Sequence, residues 1–193
     1  MRIGILGGTF DPPHLGHLIA AQDTFDAVSL DRILFIPASV PPHKRHDVVT
    51  APDLRLRMVS AAVEHDPRFE VSDVELRRSG PSYTVDTLRE LNSRLPGDEL
   101  FLLAGVDQVR EFDTWREPAE VLRCARLIML TRGGIEDAPG NDIVHTTVPV
   151  TRIDISSTLV RQRVRAGLPI RYLVPAAVEK IILAERLYCG SQG

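Results

Sequence analysis

Short apolar runs alternate along this chain with longer stretches of helical character, and this alternation constrains the fold more than any other feature. The predicted strands are Arg2–Gly7, Arg32–Pro37, Glu70–Leu76, Glu99–Ala104, Arg126–Thr131 and a less regular one at Ile143–Val148. The predicted helices are Leu15–Ala27, Pro52–Glu64, Thr84–Leu95, Glu117–Cys124, Ser156–Ala166 and Pro175–Leu187. Strands buried on both faces read as near-continuous apolar runs, and parallel strands need helical crossovers. The pattern therefore predicts an α/β fold, a doubly wound parallel sheet with helices on both faces.

Length and composition fit one domain over 1–193, with a small C-terminal helical portion at about 155–188. A net charge of −3 argues against nucleic acid as the main partner, because such proteins carry a basic excess. Cys124 and Cys189 offer neither a disulfide framework nor metal-ligand spacing, so we expect no protein-held metal and a reducing, cytoplasmic setting. No apolar run is long enough for a membrane span, and the first residues leave no room for a signal peptide.

A glycine turn joins the first predicted strand to the first predicted helix. Gly7 and Gly8 let the backbone approach a phosphate closely, because no Cβ stands in the way. Thr9 and Phe10 can add further N–H donors. The free N–H groups and the dipole of the following helix converge on one place, so this junction predicts a phosphate site.

Two histidines, His14 and His17, stand at the edge of that junction. Imidazole N–H groups can stabilise the negative charge that a pentacoordinate phosphorus gathers, so the pair indicates nucleotidyl transfer. One alternative is a pair of histidines that merely cap or solvate a helix start. Another is a dinucleotide-binding turn, but Gly4-x-x-Gly7-Gly8 lacks the G-x-G-x-x-G spacing of that turn.

A second helix start lies in the segment Ile155-Ser156-Ser157-Thr158-Leu159-Val160-Arg161. Its hydroxyls and N–H groups, with Arg161 about one turn later, form a candidate anion site suited to a polyphosphate. An ordinary capped surface helix explains the segment equally well.

The two motifs together, G-G-T-F-D-P-x-H-x-G-H and I-S-S-T-x-x-R, resemble the nucleotidyltransferase superfamily of adenylyltransferases. Within it the chain resembles the bacterial nicotinate-mononucleotide adenylyltransferases, from Met1 to about Tyr188. The resemblance implies a Rossmann-like fold and a reaction in NAD biosynthesis, in which ATP and nicotinate mononucleotide give deamido-NAD and pyrophosphate. It implies Mg²⁺ bound with ATP, imidazoles on the phosphate oxygens, and the second motif, with Ile155, Ser156, Ser157 and Arg161, on the triphosphate.

The resemblance also implies the seat of the mononucleotide. Tyr83 and Thr84 belong to an S-Y-T-x-D-T stretch that in the family lies against the pyridine carboxylate. Trp115, the single tryptophan, suits stacking on the pyridine ring. Arg116 follows it, where the family often has histidine.

Three further elements match the family in part. Lys44, in P-P-H-K, is a mobile charge expected to bind substrate phosphate, and it joins His14, His17 and Arg161 in the predicted catalytic set. Gly105 and Asp107, in G-x-D after a strand, are expected beside the nucleotide, where a carboxylate accepts from ribose hydroxyls. Arg132 matches the arginine of an R-P-G element, with Gly133 in place of proline.

Two alternatives remain open at this stage. A related adenylyltransferase could use nicotinamide mononucleotide or phosphopantetheine, although phosphopantetheine enzymes usually carry T-x-G-H where this chain has His14. A non-catalytic nucleotide-binding domain would bind ATP without releasing pyrophosphate. The sequence leaves the oligomeric state open, a homo-oligomer included.

Overall fold

A single parallel sheet forms the centre of the computed structural model, which describes residues 1–40, 50–131 and 142–189. Its strands are β1 (Arg2–Gly8), β2 (Arg32–Pro37), β3 (Phe69–Val71), β4 (Glu99–Gly105), β5 (Arg126–Thr131) and β6 (Val144–Pro149). They lie in the order β3-β2-β1-β4-β5-β6, and every pair is parallel. The strand order reverses between β1 and β4. Open α/β sheets bind ligands outside the carboxyl ends of the strands at such a switch, so the end of β1 is the expected site.

The helices confirm the predicted alternation, and their ends coincide with the predicted ones or differ by at most three residues. They are α1 (Leu15–Val28), α2 (Pro52–Val63), α3 (Thr84–Arg94), α4 (Val106–Arg110), α5 (Pro118–Cys124), α6 (Ser157–Arg165) and α7 (Ala176–Ala184). No predicted helix covers α4 or the 3₁₀ turn Phe112–Thr114 that follows it. Together with α5, these short elements form the crossover that joins β4 to β5.

Helices cover both faces of the sheet, as predicted. Successive residues of β4 show this, because Leu102 packs in one buried cluster with α3 and α5 while Leu103 packs in another with α1 and α2. Side chains alternate across a strand, so a strand covered on both faces must be apolar at every position. Five consecutive residues of β4, from Leu100 to Ala104, are buried.

The C-terminal helices form a third buried cluster against the outer side of α2. Met58 of α2 packs there with Val160 of α6 and with Val178 and Ile182 of α7. Burying such side chains stabilises a fold by about 1.5–3 kcal/mol each. The small C-terminal helical part is therefore packed firmly onto the α/β body.

The predicted strand Glu70–Leu76 is wrong in its extent, because β3 spans only Phe69–Val71. The chain then leaves the sheet in a hydrogen-bonded turn, with the Leu76 N–H donating to the Asp73 carbonyl. Val74 is fully buried in this turn, and Glu75 is 8 % exposed. The apolar pattern came from burial outside the sheet, which a strand prediction cannot distinguish from burial within it.

A fully buried arginine connects the loops at the carboxyl end of the sheet. Arg55 of α2 is 0 % exposed, and its guanidinium donates to the carbonyls of Thr50 at 3.1 Å, Thr9 at 2.8 Å and Ser39 at 3.1 Å. Burial lowers the pKa of Arg55, while the charge of nearby Asp11 raises it. Arginine stays protonated even so. Its three bonds tie α2 to the loops after β1 and β2.

The C-terminal end of the chain joins the same buried region. Tyr188 donates its hydroxyl to Asp11 Oδ1 at 2.6 Å and accepts from the Thr50 hydroxyl at 3.1 Å. The Thr50 N–H donates to Asp11 Oδ2 at 3.3 Å. Burial, with the charge of Asp11, raises the pKa of Tyr188, so its hydroxyl keeps its proton and remains a donor. Thr50 and Tyr188, which are far apart in sequence, therefore both bind Asp11 and fix the loop after β1.

Tyr188→Phe removes the short bond to a buried carboxylate and leaves the packing of the ring in place. We expect the free energy of unfolding to fall by about 2 kcal/mol, the usual cost of losing a buried hydrogen bond to a charged group. Urea denaturation followed by circular dichroism measures this loss. Tyr172→Phe is the matched control, because Tyr172 is 83 % exposed and its change should leave stability unaltered. Equal stability of Tyr188→Phe and the wild type would contradict the role of the network.

Candidate active site

The turn after β1 depends on close packing between a glycine and an aromatic ring. Phe10 has a φ of 50°, and its ring is buried at 2 % exposure. A Cβ at Gly8 would lie only 2.9 Å from the tip of that ring, so a side chain at position 8 would force the turn apart. The ring also meets His17 edge-on, with centroids 5.0 Å apart. The buried Phe10 ring thus packs between Gly8 and His17 and stabilises the predicted phosphate turn.

Gly7 faces the opposite way, toward open space. A Cβ built at this position meets no atom within 4 Å. Gly7 also lines the cavity at the carboxyl end of the sheet. The backbone here can be approached by a ligand without a side chain between them.

The two motif histidines lie in contact at the start of α1. Their ring centroids are 3.7 Å apart, and the planes make an angle of 29°. The backbone N–H of His14 donates to Nδ1 of His17 at 3.1 Å. Nδ1 is therefore the acceptor nitrogen of the neutral His17 ring, and Nε2 carries the proton.

The glycine between the histidines makes this stacking possible. A Cβ at Gly16 would lie 3.1 Å from Nδ1 of His14, tighter than an ordinary contact. The same position faces the carbonyl oxygen of Ile155 at 3.9 Å. The spacing H-x-G-H thus serves both the contact of the rings and the approach of the second motif.

The second motif is docked on the first by direct hydrogen bonds. Ser156 is the N-cap of α6, and its hydroxyl accepts from the Leu159 N–H at 3.1 Å. The Ser157 hydroxyl donates to the carbonyl of Pro12 at 2.8 Å. Arg161 donates to the carbonyl of Asp11, also at 2.8 Å. The N-terminus of α6 is therefore fixed beside the histidine pair, and sequence alone did not indicate these bonds.

A cavity of about 450 Å³ adjoins the first motif at the switch in strand order. Gly7, Gly8 and Thr9 line it on one side, and the predicted mononucleotide residues Tyr83, Thr84 and Trp115 line it too. Trp115 is half-buried beside Phe112, with ring centroids 5.2 Å apart. Tyr83 is the N-cap of α3, and no side chain caps that helix. Thr84, the first residue of α3, lines the cavity, so the N-terminal end of this helix lies at its edge.

Three charged residues that the predicted site did not include, Glu75, Glu111 and Arg116, also line the cavity. Glu75 is 8 % exposed and accepts from the Thr87 hydroxyl at 2.7 Å, and burial raises its pKa. Arg116 lies over the Tyr83 ring, 4.7 Å from its centroid. A glutamate inside an apparent strand gives no sequence signal of burial. For Arg116 the sequence did give one indication of a place in the site, its position directly after Trp115.

The remaining predicted residues lie apart from this cavity or outside the described residues. Gly105 ends β4 and precedes α4, and its N–H donates to Gln108 Oε1 at 3.1 Å. The Asp107 side chain is exposed and lies 3.8 Å from Arg110. Asp107 is thus at the carboxyl end of β4, beside β1, but it does not line the cavity. Lys44 and Arg132 fall outside the described residues.

Residues 1–40, 50–131 and 142–189 contain neither a membrane-spanning helix nor a cluster of potential metal ligands. No helix there is both long and apolar enough to cross a membrane. No group of three or more His, Cys, Asp or Glu side chains in these ranges converges in a way that could hold a metal ion.

Comparison with known proteins agrees with this geometry. The cytidylyltransferase-like family matches residues 5–163. A relative from Shouchella clausii, named a probable nicotinate-nucleotide adenylyltransferase, is 46 % identical over 187 residues, covering 97 % of this chain and 96 % of its own. A relative of the same name from Thermus thermophilus is 48 % identical over 191 residues, covering 97 % of this chain and 100 % of its own.

Solved structures show the same fold at lower identity. The nicotinic acid mononucleotide adenylyltransferase of Plasmodium falciparum complexed with NaAD superposes with a TM-score of 0.76 at 18 % identity, covering 97 % of each chain. At that identity the likeness shows the fold alone. The full-length relatives go further, since they share nearly half of their residues with this sequence. The chain therefore belongs to the cytidylyltransferase-like family and, within it, to the nicotinate-nucleotide adenylyltransferases.

Proposed function

We propose that this chain transfers the adenylyl group of ATP to nicotinate mononucleotide, releasing pyrophosphate and forming deamido-NAD in NAD biosynthesis. One observation carries the proposal: the glycine turn after β1 leads to the stacked imidazoles at the start of α1, and the same turn lines a cavity together with Trp115 and Thr84. One turn thus connects a phosphate-handling group with a seat for an aromatic acid. The names of the full-length relatives support the same reaction.

The chemistry is an in-line displacement at the α-phosphorus of ATP. A phosphate oxygen of the mononucleotide forms the new bond to phosphorus, and the bond to the oxygen bridging to the β-phosphate breaks. Pyrophosphate leaves with that electron pair. Such reactions need positioning and charge stabilisation more than covalent catalysis.

His14 and His17 supply the charge stabilisation in this proposal. The Nε2 proton of His17, set by the bond at Nδ1, suits donation to a phosphate oxygen. Donors fixed before the reaction stabilise the charge that develops in the transition state without reorganisation cost. The packing of Phe10 against His17 holds that ring in place.

The triphosphate lies from Gly7 toward the N-terminus of α6. The first-turn N–H groups of α6, at Ser157 and Thr158, are suited to the departing β- and γ-phosphates. Arg161 already donates to the first motif and adds positive charge there. Mg²⁺ enters with ATP as part of the substrate, held by phosphate oxygens. Asp107 suits a ribose hydroxyl.

The mononucleotide occupies the cavity. Trp115 provides a flat surface for the pyridine ring, and the N–H groups of α3 near Thr84 meet its carboxylate. Lys44 is assigned to the incoming phosphate and Arg132 to the mononucleotide, both on the resemblance alone.

Pyrophosphate release in the presence of ATP and magnesium tests the reaction. We expect release with nicotinate mononucleotide, and less or none with nicotinamide mononucleotide or phosphopantetheine. Release with phosphopantetheine alone would contradict the proposal in favour of a related adenylyltransferase. Binding of ATP with no release from any of the three would indicate a non-catalytic domain.

His17→Ala removes one donor to the developing charge. Turnover should fall by about 10²-fold, the usual cost of one such donor, while thermal unfolding changes little. Steady-state pyrophosphate release measures this fall. His65→Ala is the control, because His65 is exposed and lies far along the chain from both motifs. Near-normal turnover in His17→Ala would refute the role of the pair.

Trp115→Ala removes the proposed stacking surface. The KM for the mononucleotide should rise about tenfold, because stacking on an aromatic ring stabilises binding by about 1–3 kcal/mol. The KM for ATP should stay nearly constant and serves as the internal control. A mononucleotide KM equal to that of the wild type would rule out stacking on Trp115.

A further inference from the structure

We propose that the Arg116 side chain makes the enzyme prefer the acid form of the mononucleotide over its amide, by attracting the pyridine carboxylate in the cavity. This inference rests on the proposed function and names a determinant of its substrate specificity. The two forms of the substrate differ in one charge, so a fixed cation beside the ring substituent distinguishes them.

Arg116 is in the right place because of its stacking on Tyr83. Its guanidinium carbon lies 4.7 Å from the centroid of that ring, and both residues line the cavity. Tyr83 is the N-cap of α3. The guanidinium therefore adds a full positive charge next to the partial positive charge of the helix N-terminus.

The N-terminus of α3 offers N–H donors but only a partial charge for distinguishing the acid from the amide. Its N–H groups can donate to the oxygen of a carboxylate or to the carbonyl oxygen of an amide, since both accept hydrogen bonds. The helix contributes only about half an elementary charge. A guanidinium supplies a whole charge and a planar pair of donors that match a carboxylate.

The acidic neighbours of Arg116 leave its charge available. Arg116 lies 3.6 Å from Asp86 and 3.7 Å from Glu117, both long contacts. Arg89 is the closer partner of Glu117, at 2.6 Å, and also lies 3.8 Å from Asp86. The acids are therefore shared between two arginines. An incoming carboxylate can replace a long, half-exposed contact at little cost.

The other charges at the cavity do not cancel this attraction. Arg116 is the single Lys or Arg among the described residues that line the cavity. Glu75 is occupied by the Thr87 hydroxyl, and burial raises its pKa, which favours its neutral form. Glu111 is exposed, so water and salt screen its charge.

Measuring kcat/KM for nicotinate and nicotinamide mononucleotides in the wild type and in Arg116→Gln tests the inference. We expect kcat/KM for the acid to fall about tenfold and that for the amide to stay within about twofold, since a half-exposed charge-assisted contact contributes modestly. A thermal unfolding midpoint equal to that of the wild type shows that the variant is folded. Arg116→Lys should retain part of the preference, because it keeps the charge and loses the planar fork.

Arg123→Gln is the matched control. Arg123 belongs to the same group of ion pairs, because Glu120 contacts both Arg123 and Arg89. Its replacement removes the same charge, but Arg123 does not line the cavity. Its acid-to-amide ratio should equal that of the wild type. Suppose that the wild type is active but Arg116→Gln has the same acid-to-amide ratio of kcat/KM. That result would overturn the role of Arg116, and so would an equal shift of the ratio in Arg123→Gln. A wild type that uses both forms equally would also overturn it. A wild type that releases no pyrophosphate with either would overturn the proposed function as well.

Discussion

Arg55 is fully buried, and its charge can be tolerated only because three backbone carbonyls accept from it. Those carbonyls belong to the loop after β1, the loop after β2 and the residue that precedes α2 by two positions. Displacing any of them would leave part of a buried charge unsatisfied, which is costly in a protein interior. The ends of β1 and β2 are therefore held in one arrangement before any ligand arrives. The glycine turn is fixed with them, because Thr9 directly follows Gly8.

The remaining contacts extend this arrangement to the loop that carries the two histidines. Asp11 receives the Tyr188 hydroxyl on its side chain and Arg161 on its carbonyl. The C-terminal part of the chain thus holds the loop that displays the histidines, although no residue of α6 or α7 is among the described residues that line the cavity. Catalysis by charge stabilisation needs donors whose positions are set in advance. A small helical appendage of this kind has a direct role in positioning, beyond covering the sheet.

Sequence predicted the sheet well because its strands are buried on both faces, and such strands read as unbroken apolar runs. It also predicted the histidine pair, since H-x-G-H at a strand–helix junction has a specific chemical meaning. It could not predict Arg55, Glu75 or Tyr188. Charged and phenolic side chains are usually exposed, and their burial depends on partners distant in the chain. The predicted length of β3 was wrong for a related reason. Val74 is buried in a turn, and sequence periodicity does not distinguish that burial from burial in a strand.

We infer that the loop after β1 holds the triphosphate between the stacked imidazoles and the N-terminus of α6. A crystal structure with a non-hydrolysable ATP analogue tests it most directly. We expect the α-phosphate above Gly7, within hydrogen-bond distance of an imidazole nitrogen, and the outer phosphates at the start of α6. An analogue bound elsewhere, for example in the cleft between Leu18 of α1 and Lys180 of α7, would contradict it.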